Sequence, residues 1–173
     1  MLSIVLPTYN RASLLRQSLE SALRNDFREF QIVISEDGPS DRHIEEIIRD
    51  IKLCHTIDIR HVANAGPQGQ AGNVLNALAN ATHEVVVLMH DDDLFVEGGI
   101  DALMREWNAH DDQIDAVYGF QYVADANGRV DKNATTSNNK SYFREQKYVG
   151  PQPSNLWAAL VGRLTSQVRS GWS

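Results

Sequence analysis

Four short apolar runs, each closed by polar or glycine-bearing residues and each followed by a helical pattern, constrain this chain more than any other feature. They are residues 2–6, 30–35, 57–62 and 84–89. The last holds a continuous apolar stretch, which suits a strand covered on both faces. The stretches between the four runs are amphipathic. Leu15, Leu19, Ala22 and Leu23 share one helical face within residues 13–24, where Arg16 and Glu20 form an i,i+4 pair. Ile44, Ile47, Ile48 and Ile51 mark a second helix, with Ser40 or Asp41 available as its N-cap. A third helix turns Val74, Leu75 and Leu78 inward, and a fourth turns Ile100, Leu103, Met104 and Trp107 inward. Strands alternating with helices predict an α/β fold with a mainly parallel central sheet and right-handed crossovers.

The pattern changes beyond residue 115. Residues 116–124 and 129–132 read as a hairpin about Asn127-Gly128. Residues 135–140 read as a polar loop without periodicity, and residues 155–168 as helix-like. No repeat or linker divides the 173 residues, so a single domain is expected, long enough to bury a core.

Charge narrows the ligands. The net charge is -7 and the pI about 5.3, which argues against nucleic acid, since that partner needs a basic face. No apolar run approaches the roughly 20 residues of a membrane span. The lone Cys54 excludes an internal disulfide and fits a reducing compartment, so a cytoplasmic location is expected.

In open parallel sheets, ligands bind outside the carboxyl ends of the strands. Here those ends carry Pro7, Thr8, Tyr9, Asn10 and Arg11; then Glu36 and Asp37; then Asn64 and Gly66; then His90, Asp91, Asp92 and Asp93. All four should line one edge. Three consecutive carboxylates repel one another unless a cation sits among them, and their hard oxygens suit Mg²⁺ or Mn²⁺. The plain alternative is a solvated acidic turn in which Asp93 caps the next helix. Glu36 or Asp37 suits a ribose hydroxyl or a base N–H, or else serves as a helix-entry acid. Thr8 and Asn10 offer hydrogen bonds, Tyr9 a stacking face and Arg11 a fork for phosphate, while Asn10 alternatively caps a helix. The glycines at 66, 69 and 72 match neither the dinucleotide nor the Walker pattern, and mark a loop allowing close backbone approach. Of the six histidines only His90 lies at this edge.

As a set these residues resemble the family 2 glycosyltransferases of the GT-A fold. Residues 3–11 look like that family's opening strand and nucleotide loop, and residues 33–41 like its second-strand acid motif. Residues 64–73, ending on Asn73, resemble its Asn-x-Gly…Asn helix start, and residues 85–95 its DXD segment. The resemblance implies a GT-A, Rossmann-like three-layer fold. It also implies an inverting transferase that moves sugar from a nucleotide-diphosphate donor, a UDP-sugar first, to a glycan, lipid or protein hydroxyl. Nucleotide-sugar contacts would come from Pro7, Thr8, Tyr9, Asn10, Arg11, Glu36, Asp37, Asn64, Gly66, Asn73, Asp91 and Asp92. Asp91, Asp92 and Asp93 would supply the metal ligands. An ungapped register favours Asp92 and a strict DXD favours Asp91 with Asp93.

Three departures stand out. Gly72 takes a place where the family often has Arg, and His90 takes the first acidic place. No Asp or Glu follows Tyr148, so the family's late catalytic base is not identifiable here. Residues 1–115 are therefore expected to form the donor part and 116–173 the start of an acceptor part, with the chain shorter than a full transferase. Two other functions remain open to the same motifs: a non-catalytic nucleotide-sugar binding module and a sugar-phosphate nucleotidyltransferase. The second normally needs a Gly-rich basic loop after the first strand, which Pro7-Thr8-Tyr9-Asn10 does not supply.

Overall fold

The computed structural model describes residues 1–110, 116–117, 121–142 and 160–163. Four parallel strands form its centre. They are β1 (Leu2–Thr8), β2 (Phe30–Glu36), β3 (Asp58–Ala63) and β4 (Val85–Leu88), alternating with α1 (Ala12–Leu23), α2 (Arg42–Cys54), α3 (Gln70–Ala79) and α4 (Gly99–His110). Two short strands, β5 (Ala116–Val117) and β6 (Leu160–Arg163), flank α5 (Lys132–Tyr142) in sequence. The strand order is β3-β2-β1-β4-β6-β5. β1, β2, β3 and β4 pair in parallel, whereas β6 runs antiparallel to both β4 and β5. The sheet is thus mainly parallel with an antiparallel edge.

Strand alternation sorts the core into two layers. Leu2, Ile4 and Leu6 of β1 pack with Ile32 and Ile34 of β2 and Val87 of β4 against Leu15, Leu19, Ile44, Ile47, Ile100, Leu103 and Trp107. Val5, Val33 and Val86, one residue out of phase, face Ala77 and Ala81. Helices α1, α2 and α4 therefore cover one face and α3 the other. The α3 layer is thinner than its apolar residues suggest. Its buried side chains are Asn73 and Ala77, while Val74, Leu75 and Leu78 stay half-buried.

Pro7 does not end the first strand. β1 runs on to Thr8, pairing Pro7 with Ser35 and Thr8 with Glu36. The β1–β4 register stops at Val5 with Leu88, and the Met89 N–H donates to the Val5 carbonyl at 3.0 Å. Pro7 follows two residues later, so its missing N–H falls on the β4 side past the end of that ladder. The proline costs no bond there, and β1 and β4 part beyond it.

The later segments depart further from the sequence reading. Residues 135–140 belong to helix α5, which periodicity misses because the helix is polar all round. Its start is set by Asp131, whose Oδ1 accepts from the Asn133 and Ala134 N–H groups at 2.8 and 2.9 Å. Thr135 and Asn139 then accept from the backbone N–H groups of Val123 and Gln121. The Asn127-Gly128 turn forms, with Asp125 accepting from Asn127 and Arg129 and Gly128 at φ +75°. It closes a single antiparallel bridge, Ala124 to Val130, rather than two long strands. Residues 118–120, 155–159 and 164–168 of the expected hairpin and late helix lie outside the described residues, and Leu160–Arg163 is strand rather than helix.

Candidate functional site

β1 is the switch point of the sheet, with β2 on one side and β4 on the other. The loops after β1 and β4 therefore leave in different directions and open a crevice. One hydrogen bond spans it. Thr8 Oγ1 donates to Asp91 Oδ2 at 2.7 Å, with both side chains buried. Arg11 closes the cluster, its Nη1 lying 3.3 Å from Asp91 Oδ1 and 3.0 Å from Asp92 Oδ2. Asp91 is thus engaged at both oxygens and its side chain is only 7% exposed, whereas that of Asp92 is 52% exposed. Asp93 also reaches solvent. Partial desolvation first, then the charges of Asp92 and Asp91, hold the Asp93 carboxyl above the usual carboxylate value, with His90 opposing. The three consecutive acids therefore divide into one buried anchor and two open carboxylates.

The β1–α1 loop presents the remaining residues of the first motif. Asn10 takes a left-handed conformation at φ +53°, which Asn tolerates better than most residues. It is not the cap of α1. That position is Arg11, which makes no side-chain capping bond, leaving its guanidinium for the acids. Tyr9 is 57% exposed, and its ring lies over Gly38, where a Cβ would sit 3.1 Å from Tyr9 Cε2. Gly38 has φ +102° besides, so both sterics and backbone favour glycine under the ring.

The acids after β2 are built differently. Glu36 is buried; its Oε1 accepts from the Asp41 N–H at 2.7 Å and its Oε2 pairs with His61 Nε2 at 2.9 Å. Asp37 accepts from Asn64 Nδ2 at 3.0 Å and from the Gly69 N–H at 2.7 Å. Asn64 also donates to the Pro67 carbonyl and accepts from the Gly66 N–H. Asp41, not Ser40, caps α2. The backbone N–H of His43, then its side chain, lowers the Asp41 pKa.

Asn73 is buried between strands. Its Nδ2 donates to the Thr8 carbonyl at 3.0 Å, and its Oδ1 accepts from Ser35 Oγ at 2.6 Å. Gly72 has a steric cause, since a Cβ there would collide with the Pro67 carbonyl oxygen. An arginine could not occupy this backbone. Glu36, Asn64 and Asn73 thus hold the edge together with side chains that are already committed, while Tyr9, Arg11, Asp92 and Asp93 face outward.

The sequence reading missed three buried residues, two on α1 and one just past its end. Ser18 Oγ lies 2.9 Å from the Asp91 carbonyl and 2.7 Å from that of Asp93. Ser21 Oγ accepts from the Phe95 N–H at 2.9 Å, and Asn25 Oδ1 from the Ile100 N–H at 3.0 Å. Their signal was small polar residues at helical spacing on or just beyond an otherwise apolar face.

Among the described residues, no three His, Cys, Asp or Glu side chains converge as a metal site. That is compatible with a hard cation of the Mg²⁺ type, which takes one or two protein carboxylates and completes its shell on substrate phosphates. By donor chemistry, Asp92 and Asp93 fit such a role. Nor, among the described residues, is any helix long and apolar enough to cross a membrane.

The parallel sheet and the crevice at its switch point define a GT-A fold. Solved structures bear out the fold. S. aureus TarS 1-349 superposes with a TM-score of 0.63 at 20% identity, over 94% of this chain and 46% of that one. The mannosyltransferase PcManGT from Pyrobaculum calidifontis, solved with GDP-Man and Mn2+, gives 0.57 at 22% identity over 72% of this chain and 35% of its own. The family model "Glycosyl transferase family 2" matches residues 3–166, and the chain belongs to that family. A curated relative, GalNAc(5)-diNAcBac-PP-undecaprenol beta-1,3-glucosyltransferase of Campylobacter jejuni, is 32% identical over 62% of this chain and 34% of its own length. Glycosyltransferase GlyG of Streptococcus pneumoniae is 26% identical over 72% of this chain and 40% of its own. The chain spans well under half the length of both relatives.

Proposed function

We propose that this chain carries the donor site of a metal-dependent inverting glycosyltransferase that takes a UDP-sugar, with residues 1–115 as the donor part and 116–173 as the start of the acceptor part. The observation that carries the reading is the Thr8–Asp91–Arg11–Asp92 cluster over the β1/β4 crevice, with the open Asp92 carboxylate and an exposed arginine at one point and exposed Asp93 next in the chain. The complexes of TarS with UDP-GlcNAc and of PcManGT with GDP-Man and Mn2+ support it.

In this reading Tyr9 offers its exposed ring to the base, and the half-buried Asp37 is the nearest acid for base or ribose. Asp92 and Asp93 hold a Mn²⁺ or Mg²⁺ ion. When bound, that ion neutralises charge developing on the leaving diphosphate. Arg11 sits where a cation would, so it turns from the carboxylates to the diphosphate when the donor arrives. An acceptor hydroxyl oxygen attacks the anomeric carbon as the carbon–oxygen bond to the diphosphate breaks, inverting the centre. Its proton passes to a base outside the donor cluster. The acceptor is a glycan, lipid or protein hydroxyl. The free, exposed Cys54 suits work in a reducing cytoplasm.

Calorimetry with UDP-, GDP- and dTDP-sugars, each with and without Mn²⁺, tests the reading. Metal-dependent binding of the UDP-sugar is expected. Binding of none of the three overturns it.

A further inference from the structure

We propose that Ser18 and Ser21 of α1, with Asn25 just past its end, are positioning residues that set the backbone of the acidic loop and thereby aim Asp91 and Asp92. The inference rests on the donor reading of that loop, and goes beyond it by naming what holds the loop in place.

The three side chains are fully buried. A serine inside a helix ordinarily turns its hydroxyl back to its own helix. Ser18 instead places its single hydroxyl proton between two carbonyl oxygens of another segment, those of Asp91 and Asp93, at 2.9 and 2.7 Å. With the carbonyls before and after Asp92 both drawn to α1, the intervening side chain is left at the surface beside Arg11. Ser21 continues the rail. It donates to the Ser18 carbonyl at 2.7 Å while accepting from the Phe95 N–H. Asn25 ends it. Its Nδ2 donates to the Ser21 carbonyl at 3.0 Å near the end of α1, and its Oδ1 accepts from Ile100 at the start of α4. Gly98 precedes α4 at φ +71° and has no side chain to cap with, so the acceptor comes from Asn25, just past α1. Buried backbone groups need such partners, and between residues 91 and 100 this helix supplies three of them and Asn25 a fourth.

Hydrogen exchange and nucleotide binding test the rail together. The variants are Ser18→Ala, Ser18→Thr and Ser21→Ala, with Leu15→Val as control; Leu15 is a fully buried core residue of the same helix. Ser18→Ala is expected to speed exchange at the Asp93 and Phe95 amides by about 10-fold or more and to weaken UDP binding in Mn²⁺ by about 10-fold, the scale of losing an outer-shell partner. Leu15→Val, at a similar loss of melting temperature, should change neither. Ser18→Thr keeps the hydroxyl and should recover much of both. Ser21→Ala, a milder change, should speed exchange at Phe95 even if Ser18→Ala does not fold. Equal effects of Ser18→Ala and Leu15→Val overturn the proposal, as does faster exchange with unchanged UDP affinity. If the wild-type chain binds neither UDP nor GDP, the donor reading fails instead, and the exchange pattern alone decides whether α1 restrains the loop.

Discussion

The edge of the sheet carries two acidic clusters of similar composition and opposite construction. After β2, Glu36 and Asp37 have every carboxylate oxygen bonded to a neighbour: the Asp41 N–H, His61, Asn64 and the Gly69 N–H. After β4, only Asp91 is closed in this way, while Asp92 and Asp93 stand at the surface with an arginine on one of them. An acid bonded at both oxygens stabilises the loops it ties and keeps only its remaining lone pairs for a ligand. Open acids in a row repel one another even with Arg11 beside Asp92, and a ligand bringing positive charge relieves that repulsion. The same residue type therefore does mostly architectural work on one side of β1, where Asp37 alone is half-exposed, and is left open on the other.

The sharpest way to break that contrast is substitution on the open side. Asp92→Asn should weaken UDP binding in Mn²⁺ by roughly 10- to 100-fold, the loss of one charge-assisted contact of about 1.5–3 kcal/mol. The melting temperature should hardly move. Titration calorimetry beside a thermal melt reads both, and a large loss of stability with intact binding would reverse the assignment.

On the closed side the outcome should be the opposite. Glu36→Gln replaces one acceptor oxygen by an amide donor facing either the Asp41 N–H or His61, and should lower unfolding free energy by about 1–3 kcal/mol. Its effect on UDP affinity should be smaller than that of Asp92→Asn. Urea unfolding measures the first quantity and calorimetry the second.

A smaller effect separates the open acids by sign. The Asp93 pKa is raised in the fold, so the folded chain holds more protons than the unfolded chain just above the ordinary carboxylate value. Stability from this group falls as pH rises through that window. Asp93→Asn should therefore raise the melting temperature modestly at neutral pH without metal, and Mn²⁺ should narrow the gap between variant and wild type. A lower melting temperature for the variant would show Asp93 to be a structural acid.

The smallest change is expected at Asp41, whose pKa is lowered by the His43 N–H it caps. Its contribution is present above the unfolded carboxylate value and fades as pH falls through the lower folded value. Asp41→Ala should melt slightly earlier at neutral pH, with the difference vanishing in acid. A difference that does not depend on pH would point to packing rather than the cap.

Much of this contrast was invisible in the linear chain. Both clusters read as candidate ligand acids, because a carboxylate at a strand end looks alike whether or not its partners have arrived. Those partners are far away in sequence: Asn64 and Gly69 for Asp37, and Ser18 beneath Asp91 and Asp93. Gly72 departs from the family's frequent arginine for a reason only the fold supplies, the Pro67 carbonyl packed against it. Helix α5 escaped because it has no apolar face to give it a period, only the Asp131 cap at its start.

By itself the sequence determined the alternation of strands and helices, the parallel sheet it implies, the edge on which all four motifs meet, and the family. These follow from patterns local to about ten residues, where side-chain period and turn chemistry act directly. Tertiary structure alone decided that β1 continues through Pro7, that β6 enters antiparallel beside β4, and which acids are closed and which open. Each of those depends on a partner brought from elsewhere in the chain, and a hydrogen bond has no signature in sequence until both of its ends are in place.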